Sequence, residues 1–176
     1  LEALKDENQD IRREAAIALG ALGDSQGIGP LMGALTDTDA AVRREAAWGL
    51  AMIGEPAVEF LIKALEGAHE HRWELVWALG EIKDERAVPV LIRALKDPDG
   101  EVRREAAWAL WFTGDERASG PLKEALGENS ALYEAELALG NIERRDTLNA
   151  LRDALQTRIE KEKAEKEAVE SVRPYK

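Results

Sequence analysis

Apolar residues return along this chain at helical spacing, and short polar clusters interrupt them at regular intervals. Between 42 and 53, Ala46, Gly49, Leu50 and Ile53 fall within about 80° of Val42 when residues are set about 100° apart. Such a stripe marks a helix that packs on one face only. The clusters between stripes carry helix stop and start signals. Asp37, Asp39, Asp97 and Asp99 stand in the turns, with Asp39 and Asp99 placed to cap the helices that follow. Gly54 and Gly114 follow the last periodic residues and suit a left-handed C-cap. A further helix is expected over roughly Ala87–Leu95, with Asp84 as N-cap and Pro89 in its first turn.

The pattern repeats. Ala-Leu pairs begin at Ala3, Ala34, Ala64, Ala94, Ala125 and Ala154, in steps of 31, 30, 30, 31 and 29 residues. A second element keeps the same beat, as IRREAAIALG from Ile11, VRREAAWGLA from Val42, HRWELVWALG from His71 and VRREAAWALW from Val102. Each unit reads as helix A, a turn, helix B and a second turn. One such hairpin cannot bury its apolar face alone, so units must stack.

The expected fold is therefore all-α. It is a right-handed alpha-alpha superhelix, a solenoid of about five helical hairpins over residues 1–155, plus a long C-terminal helix. The first unit holds only the tail of its helix A, so the chain is expected to begin inside a repeat. The third unit is one residue short between its helices and the fifth two short, so local irregularity is expected there. Leu148, Leu151, Leu155 and Ile159 form a last stripe that closes the stack. Residues 156–176 read as a charged helical extension with pairs such as Glu162–Lys166, ending in a frayed tail.

The far side of helix B carries the candidate chemistry. Arg44, Trp48 and Ala51 fall about 180–240° from Val42. Three columns can be followed up the stack: Arg13, Arg44, Trp73, Arg104 and Tyr133; Ile17, Trp48, Trp77, Trp108 and Leu137; and Ala21, Ala51, Glu81, Trp111 and Asn141. All five Trp residues lie in these columns. Large exposed apolar patches are uncommon unless something covers them, and Trp suits an interface anchor. A Glu column, Glu14, Glu45, Glu74, Glu105 and Glu134, runs beside them and suits cationic groups resting on the indoles. The expected partner-binding set is Trp48, Trp73, Trp77, Trp108, Trp111 and Tyr133 as anchors. Glu45, Glu74 and Glu105 add charge complementarity, and Arg44 and Arg104 set orientation. Against this stands a plainer reading, in which the indoles pack on each other or are covered intramolecularly.

Charge narrows the partner. The formal net charge is −11, so a nucleic acid, which needs a basic footprint, is not expected, nor is an anionic membrane surface. A basic or amphipathic protein segment is expected instead. Without Cys there is no disulfide or thiolate metal site. No apolar run approaches the length of a membrane span, and a cytoplasmic location is the expectation. His69-Glu70-His71 is read as solvated. No nucleophile triad, phosphate loop or repeated metal-ligand set is visible, so no enzyme activity, cofactor or metal is expected. Arg12, Arg43, Arg72 and Arg103 form a further column, which with Asp6, Asp37 and Asp97 suggests an ion-pair ladder between repeats.

The segment Leu91–Ala118 (LIRALKDPDGEVRREAAWALWFTGDERA) resembles the short HEAT-like repeats recognised in phycobilisome lyase subunits. The resemblance implies an α-solenoid whose B helices line the concave face. Its relatives include chromophore lyases, a metal hydroxylase, DNA-repair glycosylases and plain binding scaffolds, so it implies fold more than function. The deoxyhypusine hydroxylases of this group place His-Glu pairs on successive B helices to hold two irons. Arg13-Glu14, Arg44-Glu45, Trp73-Glu74 and Arg104-Glu105 stand at those positions here. The leading expectation is a non-enzymatic scaffold that binds another protein on a tryptophan-rich concave surface. The alternatives are a tetrapyrrole (bilin) lyase-type subunit and a structural spacer within a larger protein.

Overall fold

The computed structural model describes residues 2–67, 70–128 and 140–146, with the single positions 156, 160 and 163. The second helix of the fifth unit, with Tyr133, Glu134 and Leu137, lies outside the described residues, as does most of the C-terminal extension. Four B helices, α1 (Gln9–Leu22), α3 (Ala40–Ile53), α5 (Arg72–Ile82) and α7 (Gly100–Thr113), alternate with four A helices, α2 (Ile28–Ala34), α4 (Val58–Gly67), α6 (Val88–Ala94) and α8 (Ser119–Glu128). Residues 140–146 are helical as well. Among the described residues there is no strand, and no helix is long and apolar enough to cross a membrane. The molecule is an all-α solenoid of helical hairpins.

Local chemistry sets the hinges. Asn8, Asp39 and Asp99 cap α1, α3 and α7 through their side-chain oxygens, satisfying backbone N–H groups that a helix start leaves open. Each A helix is entered through a 3-10 turn, such as Glu85–Ala87, rather than as one uninterrupted helix. The Asp84 carboxylate accepts from the Arg86 N–H and so caps that turn instead of α6 itself. Gly23 and Gly114 close their B helices at positive φ, where a Cβ is unfavourable. Lys83 takes the same left-handed conformation at the end of α5 (φ 59°).

The apolar stripes meet as the periodicity requires. Val42, Ala46, Leu50 and Ile53 are buried against α2, whose Ile28 and Leu31 are buried in turn, as is Leu35 just past its end. Val102, Ala106 and Leu110 repeat this against Val88 and Leu91 of α6 and Leu95 just past it. Successive B helices also pack directly on one another, through small residues. A Cβ built on Gly20 would fall inside the Gly49 Cα, and one on Gly80 would come within 2.8 Å of the Ala109 Cβ. Ala47, Ala78 and Ala107 are fully buried. Each B helix thus has two buried sides, one for its own A helix and one for its neighbours along the stack.

Guanidinium forks tie the units together. Arg12 in α1 donates from Nε and Nη2 to both carboxylate oxygens of Asp37 in the next unit's turn, at 2.7 and 2.9 Å. Arg72 in α5 repeats the fork on Asp97 at the same distances. Arg43 and Arg103 donate to the Asp37 and Asp97 carbonyls at the base of their own helices. The fork on Asp37 holds its carboxyl below the usual carboxylate range.

The third unit departs from this scheme. Its turn is one residue shorter, and Gly67 stands where the second and fourth units have Asp37 and Asp97. His71 begins α5 at φ 55° and offers no side-chain cap. Arg43 turns to Glu74, donating Nε–H to its carboxylate at 3.0 Å. Glu74 is 6% exposed, the one charged residue among the buried described residues.

Candidate binding face on the B helices

With two sides buried, α3 and α7 each keep one open wedge, while on α5 only Glu81 is exposed there and Trp73 and Trp77 are half-buried. On α3 it holds Arg44, Trp48 and Met52, all exposed, flanked by half-buried Ala41, Glu45 and Ala51. Trp48 stands at its centre. The register places Trp77 and Trp108 at the same position on α5 and α7.

The indoles form two clusters. Trp48 and Trp77 join α3 to α5, with ring centroids 5.7 Å apart and planes tilted 30°. Trp73 stacks on Trp77 one turn away, at 6.3 Å. On α7, Trp108 stacks on Trp111 at 5.0 Å, and Phe112 meets both edge-on. The ammonium of Lys83 lies 4.6 Å from the centre of the Phe112 ring, a cation held against this aromatic surface. Trp48 is 45% exposed and Trp108 36%, while Trp73, Trp77 and Trp111 are partly buried against the core. The indoles therefore share both roles, wall of the solenoid and floor of an open surface.

The polar residues divide more sharply. Arg44 and Arg104 are exposed on the wedge. Arg44 donates Nε–H to the Ala40 carbonyl at 3.3 Å, and Arg104 pairs with Glu101. Glu45 and Glu105 are half-buried at its margin. Glu74, expected among the partner-facing charges, is instead buried and committed to Arg43. The missing turn aspartate of the third unit draws it inward. An open cleft of about 440 Å³ beside the first cluster has Arg44, His71, Trp73 and Glu101 on its walls.

The third column also needs correction. Ala51 and Trp111 occupy one position of the repeat, whereas Ala21 and Glu81 stand one residue further on. In the first and third units the Ala51 position is Gly20 and Gly80, the two glycines that face the next B helix. Trp111 thus sits at the inter-repeat seam, and its carbonyl accepts a hydrogen bond from Asn141 at 2.8 Å. Phe112, which shares its position with exposed Met52, was absent from the expected set and joins the α7 cluster. Counting ten positions on from Val42 and Val102 in strict register reaches Met52 and Phe112.

Comparison with known proteins fits this architecture. The model of HEAT repeats matches residues 1–71 and 58–139. The chain belongs to the HEAT-repeat family. This match is to HEAT repeats at large and does not single out the phycobilisome lyase type. Over 74 residues the chain is 35% identical to deoxyhypusine hydroxylase of Rattus norvegicus, a stretch that covers 40% of this chain and 24% of that relative. The human deoxyhypusine hydroxylase structure, in complex with glycerol, superposes with a TM-score of 0.50 at 21% identity, covering 81% of this chain and 72% of that one. A designed armadillo repeat protein in complex with the peptide (KR)4 gives 0.50 at 23% identity, over 80% of this chain and 79% of that one. These likenesses show the solenoid. Among the described residues, no three His, Asp or Glu side chains converge as a metal site would need.

Proposed function

We propose that this HEAT-repeat solenoid is a non-enzymatic scaffold whose B-helix face binds an extended, basic segment of another protein. The observation that carries the reading is the pair of stacked indole clusters on the B-helix face of α3, α5 and α7, with Trp48 and Trp108 at their exposed centres. Stacked, partly buried indoles lose little freedom on binding, so the anchors are preorganised. The tight glycine and alanine seams between B helices support placing this face on the inner, concave side of the curve.

Charge supports a basic occupant. The chain carries −11 overall, and Glu45 and Glu105 border the wedge. Lys83 over Phe112 is an internal example of the contact a partner's cations would make. A designed armadillo repeat protein of similar architecture is in complex with the peptide (KR)4, which supports a basic occupant. Arg44 and Arg104 would meet backbone carbonyls or the occasional acidic side chain of the segment. Glu74 lines the cleft beside Trp73 but its carboxylate is held by Arg43.

Tryptophan emission tests the reading. An alternating Lys-Arg octapeptide should change it saturably, with affinity falling as salt rises, and a Glu octapeptide should leave it unchanged. Equal responses to both peptides, or none, would sink the proposal. A bilin that bound the same face and developed a shifted absorbance would favour the lyase-type alternative.

A further inference from the structure

Glycine closes α1, α3 and α7, but a lysine closes α5. Gly23, Gly54 and Gly114 all stand at positive φ. Lys83 takes their place at φ 59° and ψ 32°, in the left-handed region where a Cβ is crowded. Its backbone N–H bonds to the Leu79 carbonyl at 3.2 Å, as that of Gly114 does to Leu110 at 2.9 Å. A glycine would stop α5 as well and without the crowding, so the backbone gives no reason for a lysine here.

The side chain crosses to the next unit. Its ammonium lies over the Phe112 ring, 4.6 Å from the centre. Phe112 is half-buried and meets Trp108 at 87° and Trp111 at 68°, so both indoles brace the ring. The repeat departs from its pattern at both ends of this contact. Between α1 and α3 the same two positions hold Gly23 and Met52, and between α3 and α5 they hold Gly54 and Glu81. Of these three seams, a cation faces an aromatic ring at the one between α5 and α7. The hold is loose. Lys83 is exposed, and an exposed cation–π contact returns about as much as a left-handed residue other than glycine costs.

We propose that the α7 cluster is an ammonium subsite and that Lys83 is its resident occupant, displaced by a lysine of the bound segment. This rests on the basic-segment reading of the same face. Trp108 and Trp111 already fix the ring, so the subsite is preformed, and the incoming ammonium gains it only after the resident leaves. Lys83 thereby sets the affinity of the face for a lysine-bearing segment.

The test titrates a Lys octapeptide into the full chain, read by calorimetry and by NMR of the Lys83 side chain. In the free protein the ε-methylene protons of Lys83 should resonate upfield, shifted by the Phe112 ring current. Saturating peptide should return them to the position of an unstacked lysine. Lys83→Gly should tighten binding about 2–5-fold, the share that an exposed cation–π contact withholds. Loss of a positive charge favours a basic peptide by itself, so the change is repeated in a Phe112→Leu background, where the gain should shrink. Circular dichroism should match throughout, because Lys83 is exposed and Phe112→Leu keeps an apolar side chain. An equal gain in the Phe112→Leu background would overturn the proposal by reducing the effect to net charge. Weaker binding by Lys83→Gly would also overturn it, making Lys83 a brace between α5 and α7. So would Lys83 signals that are unshifted in the free protein or stay shifted at saturation; binding with Lys83 unmoved would leave the basic-segment reading standing. No binding by either wild type or Lys83→Gly would overturn both.

Discussion

Two kinds of seam hold this stack, and they solve the same problem differently. At Arg12–Asp37 and Arg72–Asp97 the guanidinium closes a two-bond fork on a turn aspartate. At Arg43 the shortened turn offers no aspartate, and a buried helix residue, Glu74, takes its place with a bond at 3.0 Å. The repeat therefore requires a carboxylate at a point in space rather than at a position in sequence. The substitution has consequences. Both kinds of seam hold their carboxylate largely buried, with side-chain exposures of 11% at Asp37, 10% at Asp97 and 8% at Glu74, but the third unit takes its carboxylate from helix B and so removes it from the candidate binding face. A charge buried this way depends on its partner more than an exposed pair does.

The largest expected effect lies beneath both seams, in the close approach of the B helices. Gly20→Val should cost about 3 kcal/mol in urea unfolding, because its side chain would meet the Gly49 backbone, which cannot yield cheaply. Gly80→Val, facing the Ala109 side chain, should cost less, about 1–2 kcal/mol. If Gly20→Val were neutral, the B helices would not be in contact as described.

Glu74→Ala comes next. It leaves the Arg43 Nε–H without its carboxylate in a largely buried setting and should cost about 2 kcal/mol. Thermal melts would sharpen the comparison between seams. Restoring an aspartate at Gly67 in the Glu74→Ala background should recover part of the loss if location is what matters.

Acid should act on the regular seam in a defined direction. The Arg12 fork lowers the Asp37 carboxyl below its unfolded value. Arg86 and Arg117 do the same for Asp84 and Asp115 in the 3-10 turns. A depressed folded-state value means that the stabilisation is complete above the unfolded pKa of about 4 and is lost as pH falls through the folded value. Melting temperature should stay level from neutrality to about pH 5 and decline below about pH 4. Asp37→Asn should flatten part of that decline.

Much of this was legible from periodicity. The hairpins, the Asp caps, the Arg–Asp ladder and the apolar stripe around Val42 all follow from one helical period and a repeat of about thirty residues. The second buried side of helix B was harder to see. Ala47, Gly49 and Gly20 are small, and small residues carry little hydrophobic signal even where they decide how closely helices approach. Glu74 was misplaced for a related reason: a one-residue deletion in a turn changes which side chain can reach Arg43, and an angular plot of a single helix cannot register it. Trp48 and Trp108 lie where the far-side columns put them. Trp111 lies at a seam, because the third column slipped by one residue between units.

The variant most informative for function lies on the open face. Trp48→Ala with Trp108→Ala removes the two most exposed indoles, and because more than half of each is covered it should cost about 2–4 kcal/mol in urea unfolding while leaving the helices formed. The direct measurement is calorimetric titration of the alternating Lys-Arg octapeptide into wild type and this double variant, with circular dichroism recorded on both. The account predicts matching helical spectra and at least a tenfold loss of affinity in the variant. Undiminished binding alongside an intact spectrum would contradict it, and so would loss of helical signal, which would make these indoles part of the core.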